Sequence, residues 1–518
     1  MLSLNGFAQD HDHDHEHFEG DGHDHSEMVE ATPVKKGKPV HSVISKEHSE
    51  ELATLMVQDY DGRIIPMHTM CDKILRKIYR DSKFEGKNAV QVVMSMHMYP
   101  EYWMEQKVIH VSSNLREKFG IGGYASYREL ADDNGEFKWM NEYDVAHNKL
   151  ESQRNEFDKK LIKLVEKFQV VQAVFMWQYM RIIPAKGEPN NTWFVPFDRE
   201  LLKYDTVSSG VSLRYLTAID KAGKSNSYGE ALDLLNEFKS IQRVQGEKVA
   251  LSETAINVEI SYNKMNIFKN SYRSYLLLGL VLLILYFVNI LKKPTEKAMK
   301  RYALIKKIFY GLVVVIFLYH VMGLCFRSYI SGDAPWSNGY EALIFIASVT
   351  VAVGFAFGRQ NEVILPGAII LAALMIFVTE MELLDPEITP LQPVLKSYWL
   401  KIHVSVITAS YAFLGLAAIL GLINLILYIL RNKKNAELIN LNINELTYVS
   451  EMTMTIGLFM LTIGTFLGGI WANESWGRYW GWDPKETWAL VSVLVYAVIL
   501  HLRFIPSLKS KFVFNVVS

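Results

Sequence analysis

The chain has 518 residues and a formal net charge of −1, and half of its residues are apolar, crowded into the second half. The length leaves room for several domains, and the near-zero net charge says nothing about nucleic acid, which is not among the partners expected. The two cysteines, Cys71 and Cys325, stand alone without a CxxC or CxxCH motif, which excludes a c-type cytochrome and a thiol oxidoreductase.

The first residues, MLSLNGFAQ, read like the end of a secretory signal peptide with Ala8 near a cleavage position, but without a charged start or a full apolar core. The start is therefore expected to be internal to a longer protein. The next stretch, HDHDHEHFEGDGHDH (11–25), alternates His11, His13, His15, His17, His23 and His25 with acidic residues. Such tracts bind zinc, copper or nickel loosely, and residues 1–39 are expected to be a signal remnant and a disordered metal-buffering tail.

Residues 40–270 read as a soluble domain, mixed but mainly helical. Apolar residues recur at helical spacing in 62–79, 147–180 and 228–250, with strand-like VIHVSS and TWFVPF between. His41, His48, His68, His97, His110 and His147 show no ligand-like spacing and are expected to be surface or satisfied polar residues. Met94, Met96 and Met98 beside His97 suit a helix core better than a copper site.

Seven apolar runs follow, at about 274–291, 308–327, 341–358, 363–380, 402–430, 452–471 and 485–504, each near the roughly 20 residues that cross a bilayer. The fold class expected is a polytopic α-helical membrane protein of about seven transmembrane helices behind the soluble domain, with residues 271–518 forming the membrane domain. The connection KKPTEKAMKRYALIKK carries seven basic residues and the one after the fifth run begins RNKK, so both belong on the cytoplasmic side. Alternation then puts residues 1–270, the loops 328–340 and 381–401, and the last loop outside. Three histidines fall in these runs: His320, His403 at the outer end of the fifth, and His501 near the inner end of the seventh. An ionisable residue in a membrane segment is costly enough to suggest function, although Arg503 makes an interfacial role for His501 an alternative.

Residues 471–488, WANESWGRYWGWDPKETW, hold five of the eleven tryptophans. Such a cluster forms either an interfacial aromatic belt or a platform of π-faces, with Arg478, for a large planar anion such as haem. Asp483 and Glu486 fit an N-cap and its partner three residues on, with Pro484 at the first helical position.

Trp476-Gly477, Trp480, Trp482-Asp483-Pro484 and Glu486 to Trp488 resemble the tryptophan-rich WWD signature of haem-handling membrane proteins. The segment running to His501 in YAVILHLR is similar to the CcsA family of System II cytochrome c biogenesis. RSYISGDAPWSNGYEALIF (327–345) resembles that family's first outer loop, and WLKIHVSVITASYAF (399–413) the segment bearing its outer haem-ligand histidine. The likeness covers roughly residues 270–518, with three motifs in family order.

The resemblance implies a holocytochrome c synthase component that exports haem b and presents it to the CxxCH segment of an apocytochrome c. It implies His403 as an axial ligand of the outer haem, His501 as a ligand within the bilayer and His320 as a further ligand, with Trp476, Arg478, Trp480, Trp482 and Asp483 forming the platform. It also implies a CcsB- or ResB-like subunit or fused half, thiol-reducing partner proteins, and the bacterial cytoplasmic membrane with the soluble domain on the periplasmic side. Two departures stand out. The family continues past the segment bearing His501 to a further helix and a second outer histidine, and its CcsB half brings membrane helices, so the chain is expected to be a fragment of a fusion or to rely on a second polypeptide. Other readings are a metal-ion transporter, a b-type electron-transfer subunit, and a System I haem-handling protein sharing the tryptophan-rich loop.

Overall fold

The structure, a computed structural model, describes residues 44–201, 204, 206–291, 296–381, 384–390, 396–433 and 435–518. His41 and the histidine tract of 11–25 lie outside the described residues.

The first part is helical with, among the described residues, four small antiparallel strand pairs, the first joining Met56–Gln58 to Ile64–Pro66. Its main helices are α1 (Met67–Tyr79), α2 (Ala89–Met98), α3 (Glu156–Phe175), α4 (Thr206–Ser225), α5 (Gly229–Gln245) and α6 (Glu253–Met265). Local chemistry sets the boundaries. The helical pattern read over 147–180 starts at 156 because Asn155 caps it, its side chain accepting from Asp158 N while Asp158 reaches back to Asn155 N. Asn88 and Gln91 close a second such box ahead of α2. The expected strands shrink to Ile109–His110 and Trp193–Phe194. Fully buried Gln242 on α5 binds Met56 N, Met56 O and Ile182 O at 3.1, 2.8 and 2.7 Å, joining two hairpins through one amide. Met94 and Met96 are fully buried in this core, as expected of core methionines.

The membrane part follows almost without a break. Asn266 alone, in the left-handed conformation at φ 47°, separates α6 from α7 (Ile267–Leu291). Next come α8 (Glu296–Ser331), α9 (Gly339–Phe357), α10 (Ile364–Thr379), α11 (Tyr398–Leu430), α12 (Ala436–Trp476), α13 (Pro484–His501) and a short α14 (Lys511–Val517). Six helical segments among the described residues are long and apolar enough to cross a membrane, the first being α6 and α7 together. The fourth run, 363–380, becomes α10, 16 residues long and reaching about 24 Å. Several helices outrun the apolar stretches that announced them, because polar turns extend a helix beyond the hydrocarbon. The run read at 452–471 is the middle of the 41-residue α12.

The two parts are joined by buried charge. Arg63 pairs with Glu259 on α6 and reaches Ile388 O. Lys73 on α1 lies 2.9 Å from Asp59 and 2.6 Å from Glu387. Deeper, Arg327 at the end of α8 meets Glu341 at the start of α9 at 2.9 Å, with side-chain exposures of 1% and 2%. Arg327 also donates to Tyr262 Oη on α6 at 3.1 Å and to Pro386 O at 2.8 Å, while Glu341 accepts from Ser337 N and Oγ. At the far end of the bundle, Asn515 on α14 sits between Asn424 (2.7 Å) and Thr447 (2.9 Å), which ties the last turn to α11 and α12.

Two outcomes follow. Removing one partner of a dry ion pair strands the other charge, so Glu341→Gln or Arg327→Met lowers the unfolding free energy by about 3–5 kcal/mol, whereas Arg327→Met with Glu341→Leu costs less than either alone; denaturation of the detergent-solubilised chain compares them. Burial pushes His68 and His97 down to about 4. The unfolded chain takes up these protons from about pH 6.5 and the folded chain only near 4, so stability holds above pH 6.5 and falls as pH drops from 6.5 towards 4. Melting temperatures between pH 7.5 and 5 show that fall, and His97→Gln makes it shallower.

Candidate functional site

The site forms where α11, α12 and α13 meet at the end of the bundle that carries the first part. Glycines let the first two helices approach. A Cβ on Gly457 would lie 2.8 Å from Leu414 Cδ2, and one on Gly464 3.2 Å from the backbone nitrogen of Ile407. A Cβ on Gly468 would come within 2.6 Å of His403 Cε1. The His403 ring therefore packs its Cε1 edge against bare backbone, and its Nδ1 lies 2.6 Å from Gly464 O. A carbonyl oxygen only accepts, so Nδ1 carries the proton and donates, and Nε2 of the neutral ring keeps its lone pair. Nε2 makes no hydrogen bond among the described residues. This is the arrangement of a metal-ligating histidine, whose second nitrogen is oriented by a backbone acceptor.

His403 opens onto a cleft of about 620 Å³, a size ordinary for a cofactor pocket. Its walls include Ile407 and Tyr411 one and two turns further along α11, Trp471 and Trp476 on α12, Trp480 in the loop, and Asp483, Lys485 and Trp488 on the α13 side. The lining is rich in aromatic rings and, among the described residues, carries Lys485 beside two carboxylates, Asp483 and Glu486. Trp471 and Trp480 each bury an indole Nε1–H that has no acceptor. Both donors are buried with no partner among the described residues, which is costly to leave so.

The loop itself is short. Trp471 and Trp476 belong to the last turns of α12, where the sequence suggested Trp476 in a loop, and Gly477 at φ 69° ends the helix. Trp482 adopts φ 56°, an uncommon state for a bulky residue, and is 70% exposed. Its ring meets Trp480 edge-on at 5.8 Å, and Arg478 lies 6.0 Å from the Trp476 ring centre, at the outer limit of a cation–π contact. Asp483 caps α13 by accepting from Glu486 N at 2.8 Å, with Pro484 behind it, and Glu486 accepts from Gly481 N at 2.6 Å. The N-cap read at Asp483 is present, but Glu486 binds Gly481 N instead of reaching back to Asp483 N, and Asp483 also lines the cleft.

The other two membrane histidines lie elsewhere. His320 is fully buried between α7 and α9, with Nε2 3.1 Å from Ile344 O and Nδ1 3.4 Å from Tyr275 Oη, so both nitrogens are engaged. His501 ends α13, exposed, with Nδ1 on Ala497 O at 2.7 Å. The 18 residues of α13 put it about 27 Å from the loop. His403, Trp476, Trp480 and Asp483 therefore share one cleft, Arg478 and Trp482 sit on its rim loop, and His320 and His501 are separate. Sequence reading passed over Gly464, Gly468, Tyr411 and Lys485. The glycines were visible as TIGLFMLTIGTFLGG, a small-residue seam of the kind that packs membrane helices.

Residues 336–516 match a family of proteins described as cytochrome C assembly protein. The chain is 32% identical over 274 residues to the cytochrome c biogenesis protein CcsA of Prochlorococcus marinus, covering 46% of this chain and 85% of that protein. It is 30% identical over 289 residues to CcsA of Pyropia yezoensis, covering 48% of this chain and 89% of that protein. The chain belongs to the CcsA family of cytochrome c biogenesis proteins. A longer relative matches the family member's first part as well: protein NrfI of Wolinella succinogenes is 34% identical over 485 residues, 92% of this chain and 52% of NrfI. The chain thus spans about half the length of that relative.

The cap gives a local outcome. Asp483→Ala loosens the first turn of α13 by about 1 kcal/mol, and hydrogen exchange at the Glu486 and Thr487 amides then speeds up about fivefold, while Asp483→Asn stays near the parent rate.

Proposed function

We propose that this protein takes haem b across the bacterial cytoplasmic membrane, holds it at the α11–α13 cleft and presents it for covalent attachment to the CxxCH segment of an apocytochrome c. The observation that carries this reading is His403, with Nδ1 committed to Gly464 O and Nε2 uncommitted beside a tryptophan-lined cleft. The residues fit the cargo. His403 Nε2 supplies an axial imidazole, the indole faces stack on the macrocycle, and Lys485 offers a donor to a propionate. Arg478 and Trp482 stand on the exposed rim, where an extended peptide would approach.

Attachment needs little from the protein beyond position. Each cysteine thiol adds across one vinyl group, sulfur bonding one carbon and the proton the other, with no net change of oxidation state. A cleft that fixes the macrocycle while leaving one edge open supplies the proximity term for that addition. The thiols must arrive reduced, which calls for thiol-reducing partners. A second axial histidine would come from a CcsB-like subunit or fused half. His501, at the opposite end of α13, is proposed as the histidine that receives haem within the bilayer. His320, with both nitrogens engaged, would serve as a ligand only after rearrangement. The soluble domain and the tryptophan-rich loop are proposed to face the periplasm, where apocytochrome c arrives.

The test is spectroscopic. The detergent-purified chain, reduced with dithionite, shows the absorption of histidine-ligated haem b, and His403→Ala lowers the haem retained by about tenfold or more, while His320→Ala leaves it within about twofold provided the chain folds. Haem retention unchanged by His403→Ala contradicts the assignment.

A further inference from the structure

The orientation of the His403 ring is accounted for by Gly464 and Gly468, but the turn of helix that carries it is not. Helix α11 begins at Tyr398, and its N-cap, Ser397, makes no side-chain capping bond to the helix. Its first turn contains no acidic residue to answer the positive end of the helix. An uncapped first turn frays, and His403 stands only five residues from that end.

Ser397 Oγ makes a long contact of 3.4 Å to Glu474 on α12, and a shorter tie lies on the other side. Lys401 Nζ lies 2.7 Å from Asp333 Oδ1, and both side chains are partly buried, at 37% and 17% exposure. Asp333 belongs to the 332–338 connection between α8 and α9, and that connection is itself held. Gly332 turns the chain at φ 70°, and Ser331 Oγ contacts Asp333 N and O at 3.1 Å each. At its other end Ser337 donates to Glu341, the carboxylate bound by Arg327, which in turn binds Tyr262 of the first part. An unbroken line of contacts therefore runs from the first part of the chain to the residue two positions before the proposed ligand.

We propose that Lys401 and Asp333 are positioning residues for His403: their ion pair clamps the first turn of α11 to the 332–338 connection and so fixes the imidazole in the orientation that ligates haem. This deepens the assignment of His403 as an axial ligand and rests on it. The pair touches neither the cleft nor its cargo, since neither residue lines the cavity. Its effect acts through the geometry of one helical turn.

The experiment compares the full-length, detergent-purified chain as the parent, Lys401→Met, Asp333→Asn, Lys401→Arg, the charge swap Lys401→Asp with Asp333→Lys, and His403→Ala. Haem retained per chain and the reduced absorption spectrum are read alongside the melting temperature and size-exclusion profile. The expected result is a loss of at least threefold in haem retention for Lys401→Met and Asp333→Asn, retention within twofold of the parent for Lys401→Arg, and recovery of at least half the loss in the swap. Recovery by the swap excludes a general folding defect. If His403→Ala loses haem but both neutral variants retain it as the parent does, the positioning role is overturned and the ligand assignment stands. If the neutral variants lose haem and neither Lys401→Arg nor the swap retains it, the pair does not act through its charge and the proposal is likewise overturned. If His403→Ala retains haem, both the ligand assignment and the proposal built on it fall.

Discussion

Everything about the cleft depends on how closely α12 lets α11 approach. In lipid, apolar side chains gain nothing by meeting each other rather than acyl chains, so two helices pack tightly only where small residues expose backbone. Gly457, Gly464 and Gly468 do this along one face of α12, seven and four residues apart. The same absence of side chains that brings the helices together leaves Gly464 O within reach of His403 and leaves the ring nowhere to turn. Helix packing and the orientation of the His403 ring are one constraint. The tryptophans come second, since Trp471 and Trp476 ride on the end of the helix whose middle carries the seam.

A second constraint works from the other side. Burying Arg327 against Glu341 takes two charges out of water, which a pair of apolar residues of similar size would avoid. The pair is surrounded by further acceptors and donors, from Tyr262, Pro386 O and Ser337, so no lone pair or proton is wasted. What this arrangement gains is definition: α6, α8, α9 and the 384–390 segment meet at one point in one register. With Lys73 and Arg63 gripping the same segment from the first part, the membrane helices and the domain before them are held at several charged points.

Much of this could be read from residues alone, for reasons that differ by element. Apolar runs announced the spans because hydrocarbon demands an unbroken length of apolar residues, yet they understated α8 and α12, whose polar turns continue the helix beyond the bilayer. The Asp483-Pro484 cap was legible because capping depends on neighbours in sequence. His403 stood out as a rare imidazole in an apolar segment, but its tautomer and orientation depend on a carbonyl 61 residues away, which no local pattern encodes. Arg327 and Glu341 lay inside a stretch already noticed for its resemblance, and their pairing escaped because fourteen residues and a turn of chain separate them. In the first part, the helices of 67–79 and 229–245 followed the apolar spacing, while the short hairpins fell below what alternation can signal over two residues.

The most direct test of this account is an experimental map of the haem-loaded protein. The account expects iron density within bonding distance of His403 Nε2, Nδ1 still on Gly464 O, and the macrocycle between α11 and the α12–α13 loop. Iron bound instead by His320, or a His403 ring turned so that Nδ1 has left Gly464 O, would contradict it.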